Sequence, residues 1–264
     1  MKAKTKTKAL LMSLCAVLLV AASVLGTMAY LTDSKDVKNT FTVGNVAITL
    51  DEAKVDDNGN AINKQGNQVT NLADAERVPG NAYKLLPGHT YTKDPTVTVL
   101  TPSVASYVRM KVTFNKASAL IAMCTDPEFA EDGPTGVENA YPLIRMVNFV
   151  EANAAKWDGI IPDNMVDTEE MLANGKYFDA KNDTLTYYFY YNETVAAPTE
   201  DVVLPALFDS ITVPEWATGD QLKALQGFEI NVVAEAIQAD GFVDANGDPS
   251  ADAAWTAFAA QMYK

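Results

Sequence analysis

The chain has 264 residues, with 20 Lys plus Arg against 34 Asp plus Glu, one His and two Cys, for a net charge of −14. So acidic a surface excludes nucleic acid and anionic membranes as partners, since both demand a basic footprint. The length allows one sandwich-type domain with insertions, or at most two.

The first residues read as an export leader. Lys2, Lys4, Lys6 and Lys8 precede an uncharged apolar run from Ala9 to about Leu25, and Thr27-Met28-Ala29 supplies the small residues that signal peptidases accept. A membrane anchor is the competing reading, because the run approaches the ~20 residues of a bilayer span. The cleavage site and the polar stretch behind it favour removal between Ala29 and Tyr30, which gives a signal peptide over 1–29 and one secreted domain over 30–264. The processed chain then holds 16 basic and 34 acidic residues, net −18, and no longer touches the membrane. Leu14 stands before Cys15 where a lipoprotein signal needs a small residue. Cys15 leaves with the leader, so Cys124 has no partner for an internal disulfide. Among the small and apolar residues of "KASALIAMCT", Cys124 reads as a buried hydrophobe rather than a nucleophile.

Residues 30–40 read as an extended N-terminal segment. Leu31, Val37, Phe41 and Val43 share one strand face, but Asp33 and Lys35 interrupt it. Two aliphatic side chains contribute about 3 to 5 kcal/mol on burial, and ordering the backbone at about 1 kcal/mol per residue opposes that. In "NTFTVGNVAITL" the apolar phase changes from odd (Phe41, Val43) to even (Val46, Ile48, Leu50), which predicts a β-bulge at Gly44-Asn45 or two short strands with a bend. The Asn-Gly-rich stretch that follows reads as a mobile hairpin or excursion.

Strands dominate the rest. "TVTVL" (96–100) precedes "SYVRMKVTFN" (106–115), where Val108, Met110, Val112 and Phe114 face a core and Tyr107, Arg109, Lys111 and Thr113 face solvent. "LTYYFYYNE" (185–193) sets Tyr188 and Tyr190 against Tyr187, Phe189 and Tyr191: one set is core, the other exposed or covered by a helix. "FDSITVP" (208–214) is a further strand, and "FEINVVAEAIQAD" (228–240) turns Phe228, Ile230, Val232, Ala234 and Ala236 inward and Glu229, Asn231 and Glu235 outward. Helices read as insertions: 168–175, a stretch from Thr218 ending at Gly227, and a C-terminal stripe of Trp255, Phe258, Ala259 and Met262. A long loop covers 128–142. The whole pattern is all-β, an antiparallel β-sandwich with short helical insertions and a C-terminal helix.

Motifs for catalysis are missing. A zinc hydrolase needs two His one turn apart around a Glu, and His89 stands alone in a Pro-Gly turn, where an exposed turn residue outweighs a ligand. No G-x-S-x-G elbow places a serine, and the inventory calls for no cofactor. Asp244, Asn246 and Asp248 hold the 1, 3, 5 spacing of a calcium loop, but Pro249 and Trp255 replace its Gly and its bidentate Glu. The loop from Asp56 fails similarly. Both are weak calcium candidates and read as turns.

In order and context these stretches resemble one group. "GTMAYLTDSKDVKNTFTVGNVAITL", "LLPGHTYTKDPTVTV", "YYFYYNETV", "LPALFDSITVP" and "FEINVVAEAIQADGF" resemble, across most of the chain, the TasA/camelysin family of secreted Gram-positive proteins. The resemblance implies a jelly-roll-like sandwich, a leader cut by a SipW-type signal peptidase, and retention in the biofilm matrix or at the cell surface. It further implies homo-oligomers or fibres in which the N-terminal segment of one subunit, with Leu31, Val37, Phe41 and Val43 as the assembly strand, completes the sheet of the next. Two alternatives stay open: a camelysin-like surface metallopeptidase, against which the single His89 stands, and a monomeric surface adhesin.

Overall fold

The computed structural model describes residues 32–36, 39–42, 46–124, 146–149, 153, 156–158 and 178–262, with backbone alone for 32–42 and 262. Its strands are β1 (Thr32–Asp36), β2 (Asn39–Thr42), β3 (Ile48–Ala53), β4 (Arg77–Val78), β5 (Thr90–Thr92), β6 (Thr96–Val99), β7 (Ser106–Asn115), β8 (Val147–Phe149), β9 (Trp157–Asp158), β10 (Phe178–Asp179), β11 (Thr184–Tyr191), β12 (Val202–Val203), β13 (Phe208–Thr212) and β14 (Ile230–Gln238). They pair antiparallel in three sheets, ordered β10-β11-β7-β14-β1-β2 with β9 on β11, then β12-β6-β3-β4, then β5-β13-β8. One apolar core draws on all three: Val108, Met110, Val112 and Phe114 of the large sheet meet Ile48, Val97 and Val99 of the second and Tyr91, Phe208 and Ile211 of the third. The fold is all-β and sandwich-like, as the alternation requires.

β7 is the spine of the large sheet. All nine residues of β14 pair with it on one side, and seven residues of β11 on the other. Its inward residues are fully buried. The face expected to be wet is only half so: Tyr107 and Arg109 are buried as well, while Lys111 and Thr113 stay half-exposed. The reason is the helix α3 (Ala251–Met262), whose Trp255 and Phe258 join Tyr107, Ile237 and Phe242 in a second apolar cluster. Glu235, also expected outside, lies opposite Arg109 in the register, and its Oε2 accepts from Arg109 Nε at 2.6 Å. The guanidinium sits 4.3 Å from the Trp255 ring centroid and 4.8 Å from that of Tyr188, so aromatic faces complete its surroundings. In β11 the odd set Leu185, Tyr187 and Phe189 is core, and Tyr190 stacks edge-on against Trp255.

The opening stretch is two strands in two sheets. β2 pairs with β1, whereas β3 pairs with β6 and β4. The change of apolar phase thus separates a strand of the large sheet from a strand of the second sheet, and Gly44 and Asn45, where a bulge or a bend is expected, lie outside the described residues. Val46 and Ile48 are buried and Leu50 half-buried, in the even phase. The expected free N-terminal extension is also revised: β1 and β2 form a hairpin, and β1 pairs with β14 from Thr32↔Ile237 to Lys35↔Ala234. Phe41 falls in β2, opposite Ser34; Ala29, Tyr30, Leu31, Val37 and Val43 lie outside the described residues, as do the expected loop 128–142 and helix 168–175.

The shorter helices follow their local signals. α1 (Ala117–Cys124) buries Leu120, Met123 and Cys124. In α2 (Gly219–Ala224), Thr218 and Gln221 form a reciprocal capping box, and Gly227 with φ 79° lets the chain turn into β14.

Candidate functional site

A cavity of about 520 Å³ opens between β3, the segment Pro79–Leu85 and the first half of β14. One wall is apolar, made by Leu50, Leu85, Ile211, Phe228 and Val232. The other is a buried charged network built on β3. The phase that points Val46, Ile48 and Leu50 inward carries Glu52 with it, leaving the residue 4% exposed. The alternation that buries Tyr91 carries Lys93 inward from the neighbouring sheet, 6% exposed. Their charges meet, Lys93 Nζ to Glu52 Oε2 at 2.6 Å, because neither could be buried alone.

The remaining acceptors are filled from the adjoining segment. Glu52 Oε1 accepts from the Asn81 N–H at 2.9 Å and from Asn81 Nδ2 at 2.8 Å. Tyr83 donates its hydroxyl to Thr92 O at 2.9 Å. Behind Glu52, Arg77 bridges Asp51 and Asp94, and Asp94 Oδ1 accepts from the Ala53 N–H at 2.6 Å. Burial pushes the Asp94 carboxyl up, against the Ala53 and Arg77 donors that pull it down. Burial, helped by the Glu52 charge, holds the Tyr83 phenol well above its ordinary value. The Glu52 carboxylate, which accepts at both oxygens, and the Tyr83 hydroxyl anchor this wall.

The apolar wall has a backbone feature. Among the described residues β14 pairs with β1 from Ala234 to Ile237. Asn115 N–H donates to Glu229 O, and Ala239 N–H to Ala105 O, so the odd residues of this strand direct their main-chain groups toward β7. Alternation turns the main-chain groups of Ile230 and Val232 to the side of the strand on which β1 pairs further along. Among the described residues neither has a ladder partner on that side.

The residues singled out by sequence do not meet here. Asp244 Oδ1 accepts from the N–H groups of Asn246 at 2.8 Å and Asp248 at 3.0 Å, while Gly247 takes φ 91°. Asp56, with Asn58, Gly59 and Asn60, and Asn63, with Gln65, Gly66 and Asn67, make the same turn. In all three the first side chain caps main-chain N–H groups, which an amide does as well as a carboxylate. Among the described residues no three His, Cys, Asp or Glu gather with metal-binding geometry. His89 sits in its turn, with Nε2 2.6 Å from Asn58 O and its ring edge-on to Tyr91; with Thr92 N–H donating to Gly59 O, this ties the Asn-Gly excursion to the body.

Sequence reading passed over Glu52 and Lys93, although the signal was present: each continues an inward strand phase with a charge, and such a charge needs a buried partner. Asn81 and Tyr83 carry no such mark, since they lie in irregular chain. Comparison of the chain with family models, with curated proteins and with solved structures returned no match.

Proposed function

We propose that the protein is a secreted component of an extracellular matrix or cell surface that self-assembles through its N-terminal segment, in a jelly-roll-like sandwich of the TasA/camelysin type. Export through the leader, cleavage after Ala29 by a SipW-type peptidase and assembly into fibres belong to the same reading. The observation that carries it is the position of β2. Residues 39–42 form the margin of the large sheet, with β1 on one side and no described strand on the other. Such a margin offers a row of main-chain donors and acceptors to an incoming strand. The hairpin sequences TDSKD and NTFT are polar, so pairing here rests on backbone hydrogen bonds.

The register supplies the test. β1 turns Asp33 and Lys35 toward β14 and hence Ser34 and Asp36 toward β2, so Phe41 and Asn39 face back to β1 while Thr40 and Thr42 point outward. Thr40→Pro removes an outward N–H and no ladder bond. The expected outcome is an unchanged fold by circular dichroism and lost fibres by negative-stain microscopy and size exclusion. Fibres that persist in Thr40→Pro, or a parent chain that stays monodisperse at high concentration, sink the reading. Chelator-sensitive casein cleavage would favour the metallopeptidase instead.

A further inference from the structure

On the charged wall of the cavity an amine and an amide meet at one carboxylate. Glu52 accepts from Lys93 Nζ on Oε2 at 2.6 Å and from Asn81 Nδ2 on Oε1 at 2.8 Å. The Asn81 amide has one sense only: Nδ2 also donates to Ala53 O at 2.8 Å, and Oδ1 accepts from the Val55 N–H at 3.0 Å, so each end faces partners of the matching kind. Lys93 and Glu52 are both buried, and Lys93 Nζ lies 5.8 Å from the centre of the Tyr83 ring. Together these are the parts of an amide exchange. There is an amine, an acid–base group that touches both the amine and the nitrogen that must leave, and a donor on the oxygen where charge develops.

We propose that Lys93 and Asn81 become joined by an isopeptide bond within the chain, with Glu52 as the acid–base catalyst. Burying the charged pair costs desolvation, and a proton passing from Nζ to Oε2 relieves that cost and leaves a neutral amine. The Nζ lone pair attacks Asn81 Cγ, and the charge that develops on Oδ1 meets the Val55 N–H. Glu52 hands the proton to Nδ2, the Cγ–Nδ2 bond breaks, and ammonia leaves into the cavity, which Asn81, Glu52 and Lys93 all line. The second proton lost by Nζ passes through Glu52 to the departing ammonia. The products are a secondary amide, ammonium and the regenerated carboxylate, and the step balances without an oxidant. Holding amine and amide on one carboxylate replaces a bimolecular encounter with a positioned one. The link ties the irregular segment Pro79–Leu85 to the connection between β5 and β6. It is independent of the self-assembly reading.

Mass spectrometry tests it. The full-length chain, kept folded at neutral pH and then denatured, is expected to weigh one ammonia less than its sequence. Trypsin is expected to spare the bond after Lys93 and to release residues 78–84 joined through Asn81 to residues 85–109. Asn58-Gly59 and Asn246-Gly247 also lose ammonia when they close succinimides, so the position of the loss decides. Glu52→Gln keeps the shape of its side chain and Lys93→Arg keeps its charge. With circular dichroism unchanged, both variants are expected to show the full mass and separate peptides. A parent chain at full mass, an ammonia loss mapped to Asn58 or Asn246 alone, or a link that persists in Glu52→Gln each overturns the proposal, and none of them bears on whether Thr40→Pro abolishes fibres.

Discussion

Gly59 and Gly66 occupy equivalent positions in two successive Asx turns, with φ of 78° and 81°. They differ in what stands beside them. A Cβ on Gly66 meets nothing within 4 Å, whereas one on Gly59 lies 2.4 Å from Cδ1 of Tyr91 and 3.1 Å from its Cα. Tyr91 is only 1% exposed and its ring packs edge-on against Tyr83 and His89, so it cannot swing away. Gly66→Ala therefore has only the left-handed backbone cost, about 1 to 2 kcal/mol. Gly59→Ala adds the displacement of a packed ring, about 1 to 3 kcal/mol more on the scale of an overfilled core. Urea unfolding of the two variants and the parent measures the difference directly. Equal losses would refute the claim that close approach, and not φ alone, demands glycine at position 59.

Removing the guanidinium in Arg109→Met leaves Glu235 buried beneath α3 without its ion-pair partner, which predicts a loss of about 3 to 5 kcal/mol in urea unfolding. The double variant Arg109→Met with Glu235→Leu should regain most of it; a single variant within 1 kcal/mol of the parent would contradict the burial argument. The N–H groups of Asp248 and Asn246 hold the Asp244 carboxyl below its ordinary value, and the Ser118 hydroxyl and N–H do the same for Asp183. Because the folded value is the lower one, this stabilisation is present above the unfolded value of about 4 and is lost as pH falls through the folded one. The urea midpoint should drop between pH 6 and pH 3, and Asp244→Asn with Asp183→Asn should flatten that drop; an unchanged slope would show that these turns do not carry it.

Alternation by itself determined the strands 96–99, 106–115, 184–191, 208–212 and much of 230–238, and so the all-β class, because a side-chain period of two has only one regular solution. Local chemistry likewise determined the Thr218 capping box and the C-terminal stripe, where Trp255 and Phe258 are buried. Tertiary structure decided what lies on each face. Arg109 and Glu235 look like solvent residues along their own strands and become core only because α3, from a distant part of the chain, crosses above them. The same holds for the opening stretch, whose phase change is legible but whose division between two sheets depends on partners far along the chain, β14 for the hairpin and β6 for β3. The cavity is the extreme case: β3, the segment Pro79–Leu85 and the first half of β14 enclose it, and they lie far apart along the chain. Periodicity reports how a residue sits in its own element; which element covers it is a long-range choice that no local pattern encodes.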